Sequence, residues 1–168
     1  MKYRKAALVL PAAALLLSLA ACGGQKSGDT IELGDCTLKY KSAYVVVDQI
    51  GEEPEEELVL TFDFTNNTDE PISYVGQVSE AATQNGEELQ YVAVIDSSDP
   101  TRTVNDSQFD EVQPGQTIEV ATAFVLRDSD AAVKVKLSQL SGSKGGTLTV
   151  EPGALEHKTI TLEDVMID

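Results

Sequence analysis

Leu58-Val59-Leu60-Thr61-Phe62-Asp63-Phe64-Thr65-Asn66-Asn67 is the stretch that decides the fold. Leu58, Leu60, Phe62 and Phe64 occupy every second position, alternating with Val59, Thr61, Asp63 and Thr65. Side chains alternate across a strand with period two, so these four share one face of a strand, whereas a helix would scatter them around its circumference. Four large apolar residues in register call for a facing layer to bury them. Asn66-Asn67 then ends the run with residues that favour turns. The stretch reads as a central strand with a buried face.

The same period recurs on both sides of it. Cys36, Leu38 and Tyr40 alternate with Thr37, Lys39 and Lys41; Ile118, Val120, Thr122, Phe124 and Leu126 follow a Pro114-Gly115 turn; Val133, Val135 and Leu137 alternate with Lys134 and Lys136. Asn85-Gly86 predicts a tight hairpin, because both residues tolerate the positive φ of a type I′ turn. Shorter runs at 43–47, 72–78, 89–95, 147–150 and 159–162 bring the expectation to about eight or nine strands. The acidic run Glu52-Glu53-Pro54-Glu55-Glu56-Glu57 reads as a loop, since a clean strand follows at once. No strand is followed by an amphipathic helix of the kind that crosses over in parallel sheets, so the expected class is all-β, an antiparallel sandwich.

Upstream, the chain opens on Lys2, Arg4 and Lys5, then an apolar run over 6–20 broken by Pro11 and Ser18. A positive head, a short apolar stretch and small residues at its end make a secretory signal, too short for a span of about 20 apolar residues. Leu19-Ala20-Ala21-Cys22 followed by Gly23 resembles the lipobox of bacterial lipoproteins. That resemblance implies cleavage before Cys22 and a diacylglycerol on its thiol. The expected organisation is a signal peptide over 1–21, a flexible tether over 22–33 carrying lipidated Cys22, and one domain over 34–168. Gly23-Gly24-Gln25-Lys26-Ser27-Gly28 has the composition of a flexible linker. The expected location is the extracytoplasmic face of the cell membrane, with the lipid as the membrane partner.

The chain of 168 residues carries 12 basic and 28 acidic side chains. Loss of 1–21 removes three of the basic ones and no acid, leaving 9 against 28 and a net charge of −19. Such a surface is repelled by phosphate backbones, so nucleic acid is not an expected partner. With Cys22 lipidated, Cys36 is the only other cysteine, and no intrachain disulfide can form.

The string Leu58-Val-Leu-Thr-Phe-Asp-Phe-Thr-Asn-Asn-Thr-Asp69, with Gln84-Asn85-Gly86-Glu87-Glu88-Leu89 and Val112-Gln113-Pro114-Gly115-Gln116-Thr117, resembles the pattern of domain-of-unknown-function family 5067 over residues 34–140. The resemblance implies an exported, mostly lipidated protein of Gram-positive bacteria with an immunoglobulin-like β-sandwich, and no assigned activity. The chain departs from the pattern at Cys36, inside the first strand, and over 141–168.

Chemistry is sparse. His157 is the only histidine and has no nearby cysteine in sequence, so a zinc site is not expected. No Gly-x-Ser-x-Gly occurs, and Ser141-Gly142-Ser143-Lys144-Gly145-Gly146 lacks both the nucleophile-elbow and the phosphate-loop order. Asn66-Asn67-Thr68 matches a glycosylation sequon but reads as a turn. Cys36 falls on the apolar face, as a small buried hydrophobe rather than a reactive thiol. Acidic clusters remain. Asp96-Ser97-Ser98-Asp99, Asp106 with Asp110-Glu111, Arg127-Asp128-Ser129-Asp130 and the 52–57 run offer oxygens, but none has calcium-loop spacing. Asp96, Asp99, Asp128 and Asp130 are therefore weak calcium candidates, and solvated loops are the favoured reading. No cofactor, metal or catalytic residue is expected, and the chain reads as no enzyme. The expected role is a non-catalytic binding or adaptor domain, with an envelope protein as its partner class. A structural or immunogenic surface protein is the alternative, and calcium-dependent binding follows it.

Overall fold

The structure, a computed structural model, describes residues 29–165. It is an immunoglobulin-like β-sandwich of two sheets. The described residues form nine strands, β1(Thr30–Glu32), β2(Cys36–Asp48), β3(Glu55–Asn66), β4(Val78–Gln84), β5(Glu87–Glu88), β6(Thr117–Val125), β7(Val133–Gln139), β8(Gly145–Val150) and β9(His157–Ile160), with a short helix α1(Tyr74–Gln77) before β4 and another, α2(Leu162–Val165), after β9. One sheet runs β1-β2-β3-β6, with β9 also on β2; the other runs β5-β4-β7-β8. All pairings between strands are antiparallel except β2 with β9. Among the described residues no helix is long and apolar enough to cross a membrane.

The deciding strand lies where its pattern puts it. β3 pairs with β2 on one side and β6 on the other, and Leu58, Leu60, Phe62 and Phe64 are wholly buried between the sheets. Phe62 meets Tyr40 edge-on at 5.9 Å between ring centres, and Phe64 meets Tyr74 at 5.7 Å. From the other sheet, Ala82, Val133, Val135, Leu137, Leu148 and Val150 close the core. Asn85 and Gly86 have φ of 54° and 86°, the positive pair that a type I′ hairpin needs, and Gly115 at 71° turns the chain into β6.

β2 joins two expected strands into one. Inward positions are Cys36, Leu38 and Tyr40, then Ala43 and Val45; a bulge between Tyr40 and Ser42 absorbs the change from even to odd. That bulge also divides the outer edge of β2: β1 pairs with residues 37–39 and β9 with residues 45–48.

Four expectations need correction. The domain starts earlier than residue 34: Thr30–Glu32 pairs with β2, and Ile31 and Leu33 are buried, so the expected tether over 22–33 gives up its last residues to the sandwich. The run 72–78 is not a strand. Ile72 makes one bridge to Val112, Tyr74–Gln77 is a helical turn that seats Tyr74 in the core, and the strand is Val78–Gln84. The run 89–95 crosses between the sheets with isolated bridges only. Finally, the acidic run 52–57 is not all loop, since Glu55, Glu56 and Glu57 already belong to β3 and pair with residues 46–48 of β2. The tail 141–168, which the pattern left unplaced, is divided between the sheets. It gives β8 to one sheet and β9 to the other, so the two sheets are linked a further time at the end of the chain.

Candidate functional site

The segment 89–116 builds the most distinctive surface of the molecule. It leaves β5 by a bond from Leu89 N–H to the Ala82 carbonyl (2.8 Å), then switches sheets: Val92 N–H donates to Ala123 and Val125 N–H to Gln90. Val94 and Val104 pair next, so the chain doubles back over the solvent face of β2, β3 and β6. That face carries Val46, Val59, Ala121 and Ala123, which, with Val94 and Ile160, make a second apolar layer outside the sandwich. Two buried amides hold the excursion down. Asn105 accepts from Val94 N–H (3.1 Å) and donates to Val92 O and the Tyr91 hydroxyl; Gln108 donates to Ala121 O and accepts from the Tyr91 hydroxyl at 3.3 Å. A loop with this many buried polar bonds is a fixed structure.

At the margin of the excursion lies an open groove of about 250 Å³. Its floor is Tyr44, Thr61, Val120 and Ala121, and its walls bring Asp96, Val104, Ser107 and Glu119. The Tyr44 hydroxyl is pushed up in pKa by burial first, then by the charges of Asp96 and Glu119. Lys158 Nζ sits 4.0 Å from the centre of the Tyr44 ring, and Lys41 pairs with Glu119 and with Asp63 at 3.4 Å. The groove thus offers an aromatic surface beside carboxylate and hydroxyl oxygens, suited to recognising hydrogen-bond donors.

Of the residues singled out in the sequence, Asp96 alone reaches this groove. Its Oδ1 is already taken by its own loop, accepting from Ser98 N–H at 2.8 Å and from Ser98 Oγ, bonds that hold its carboxyl below the usual range. Asp99 accepts in the same way from Thr101, and Asp106 from Thr103. Asp128 lies in the β6–β7 loop and accepts from the N–H groups of Asp130 and Ala131 at 2.9 and 3.0 Å, which lower its pKa. Asp130 stands beside Gly153, where a Cβ would come within 2.5 Å of its Oδ1. The four calcium candidates are not brought together. Among the described residues no group of three or more His, Cys, Asp and Glu side chains is placed to hold a metal ion. Cys36 is buried, its thiol pushed up to about 12 by burial and then by Asp35. His157 is exposed at the start of β9. Cys22 lies outside the described residues.

Two acids were not foreseen, Glu57 buried and Glu80 half-buried. Glu57, at the start of the central strand, has its carboxyl pushed up to about 7 by burial, then by Asp48 and Glu55. Glu80 points inward from β4, accepts from the Tyr74 hydroxyl at 2.8 Å, and is raised by burial against the pull of the Thr122 and Tyr74 hydroxyls. Thr122 Oγ1 makes no well-formed hydrogen bond of its own, although it stands near enough to favour the ionised Glu80. The alternation hinted at Glu80, an acid at an inward position between Val78 and Ala82; Glu57 was hidden inside an acidic run.

A family model described as "Domain of unknown function (DUF5067)" matches residues 21–139. No curated protein matches the chain. Among solved structures, one from Staphylococcus aureus subsp. aureus NCTC 8325, described as a "putative lipoprotein", superposes with a TM-score of 0.62 at 13% identity, covering 79% of this chain and 94% of that one. An uncharacterised β-sandwich protein from Clostridium difficile 630 superposes at 0.50 with 14% identity, covering 74% and 89%. At these identities the likeness is one of fold.

Proposed function

Because this chain belongs to the DUF5067 family, we propose a function from its address and its surface: a lipid-anchored extracytoplasmic domain that binds an envelope partner without catalysis. The address is supported by the lipobox-like Leu19-Ala20-Ala21-Cys22 and by the length of linker before β1. The surface is carried by one observation. A sandwich needs no outer apolar layer to fold, yet residues 89–116 are spent on building one, and at its margin stands a groove walled by Asp96, Ser107 and Glu119. Rigid loops on a β-scaffold are where recognition surfaces are commonly found. The carboxylates favour a partner that presents basic or donor groups.

The address is tested by mass spectrometry of membrane-extracted protein, which should begin at diacylated Cys22, with Cys22→Ala released or stalled as precursor. An unmodified mature N-terminus would overturn it. The surface is tested by crosslinking capture from the native envelope, comparing wild type with Ser107→Arg, which fills the groove. Undiminished capture by the variant would move the binding surface elsewhere.

A further inference from the structure

The eight basic side chains among the described residues divide by sheet. On the five-stranded side, Lys41 pairs with Asp63 and Glu119, Arg102 pairs with Asp106 at 3.5 Å, and Lys158 lies over Tyr44. Arg127 pairs with Glu87 at 2.9 Å. Lys39 of β2 makes no ion pair either, but it stands opposite Asp63. Lys134, Lys136 and Lys144 also have no ion-pair partner among the described residues, and these three gather on β7 and the β7–β8 turn. The register explains why. Lys136 stands opposite Ala81 on β4 and Thr147 on β8, Lys134 opposite Thr83 and Thr149. The solvent face of these three strands therefore holds lysine, hydroxyl and small side chains, and no carboxylate, on a chain of net charge −16.

At the turn this face is concave. A hollow of about 380 Å³ is lined by Lys136, Ser138, Ser143, Lys144 and Thr147 with the glycines between them. Gly145 must stay small, since a Cβ would come within 2.7 Å of the Leu137 carbonyl, so no side chain fills the floor there. Of the acids near this end, Asp35 accepts from Gln139 Nε2 at 2.9 Å and Glu32 from Thr37 Oγ1 at 2.9 Å.

We propose that the hollow binds a phosphate group, free or carried on an anionic lipid headgroup. The ammonium groups of Lys136 and Lys144 beside the hydroxyls of Ser143 and Thr147 supply the charge and the donors that a tetrahedral oxyanion takes, while Ser138 Oγ donates to the Ser79 carbonyl at 3.4 Å. Its position gives the lipid source a physical route. A Cβ on Gly146 would lie 2.9 Å from Ile31 of β1, and one on Gly34 would lie 3.4 Å from Lys144 Nζ, so the hollow is at the end where the chain enters the domain. Residue 29 follows Cys22 by seven positions, a reach of at most about 25 Å. On the proposed anchoring, that puts the two lysines within range of the leaflet, where basic side chains are drawn to anionic headgroups. The acidic remainder of the domain would then face away.

The test uses the mature chain, residues 22–168, with Cys22→Ser so that no lipid contributes. Inorganic phosphate is titrated by NMR at constant ionic strength, and flotation is measured with phosphatidylcholine vesicles with and without phosphatidylglycerol. K136Q/K144Q should weaken binding at least tenfold, while K39Q/R102Q, the same charge change elsewhere, should stay within twofold. Circular dichroism checks that both variants are folded. Phosphate binding without a vesicle preference identifies a free oxyanion as the source; a preference for phosphatidylglycerol without phosphate binding identifies the headgroup. No saturable response in either arm, or equal losses in the two variants, overturns the proposal. Either result leaves the lipidation of Cys22 to its own test.

Discussion

Gln84 shows how much one buried amide can carry. At the end of β4 its side chain donates to the carbonyls of Asp128 and Ala131 at 2.7 Å each and accepts from Arg127 and Asp128 N–H at 3.0 and 3.1 Å. All four hydrogen-bonding positions of the amide are filled, and the β6–β7 loop is folded around it. Gln84→Leu keeps the bulk and strands these backbone groups; at about 1 to 3 kcal/mol for each unsatisfied group, the loss in urea unfolding should be on the order of 3 kcal/mol or more. A loss under about 1 kcal/mol would mean that water replaces the amide. In sequence, Gln84 sits in an inward register beside a turn, where a glutamine reads as hydrophilic punctuation; its partners lie more than forty residues away and leave no local trace. Glu57 bears on pH. Its ordinary value of 4.5 rises to about 7 in the fold, from burial, then Asp48 and Glu55, so the folded state holds the proton more tightly than the unfolded chain. The stabilisation is complete below about pH 4.5 and is lost as pH rises through 7, a change of up to about 3 kcal/mol. Stability should therefore fall from pH 5 to 8, and Glu57→Gln should flatten that decline. A variant whose urea midpoint follows the wild-type pH slope would show that the carboxyl is better solvated than its 3% exposure implies.

At the level of elements, what could be read depended on whether the pattern was one-sided. β3, β6 and β7 bury one face continuously, so their alternation survived in the sequence; Phe62→Ala should cost about 3 to 5 kcal/mol by leaving a cavity against Tyr40. An effect in the range of a surface substitution would contradict that packing. β2 was half legible: its apolar positions change parity after Tyr40, which looked like two strands and is one strand with a bulge. The errors lie where apolar residues serve something other than a sheet ladder. Tyr74 reaches the core from a helical turn, and Val92 and Val94 pack on the outer layer from an irregular crossing, so 72–78 and 89–95 had strand-like composition without strand pairing. The groove at Tyr44 was invisible for the same reason. Its residues come from β2, β3, β6 and the excursion, and only the three-dimensional doubling-back brings them together.

For the molecule as a whole, the charge excess was plain in the composition, but its distribution was not. Acidic side chains are bound into their own loops at Asp96, Asp99, Asp106 and Asp128, each accepting from a residue two or three positions on or back. Such carboxylates have first calls on their oxygens, so calcium chloride and sodium chloride at matched ionic strength should raise the melting temperature alike through screening. A rise specific to calcium that Asp96→Asn abolishes would reverse this expectation, because ligand binding to the native state alone is what produces such specificity. The divided edge of β2 has a consequence of a different kind. A long exposed strand edge is a template for pairing with another chain, and proteins crowded on a surface meet one another often. Here β1 and β9 cover the two halves of that edge with three and four residues on either side of a bulge, β5 offers two residues at one end of the second sheet, and the crossing at 90–92 is bonded to β6. At the outer rim of β2 no long flat run is presented to a neighbour. The five-stranded sheet is thereby guarded at that rim against strand addition by a neighbouring copy, where a single uninterrupted edge would invite it.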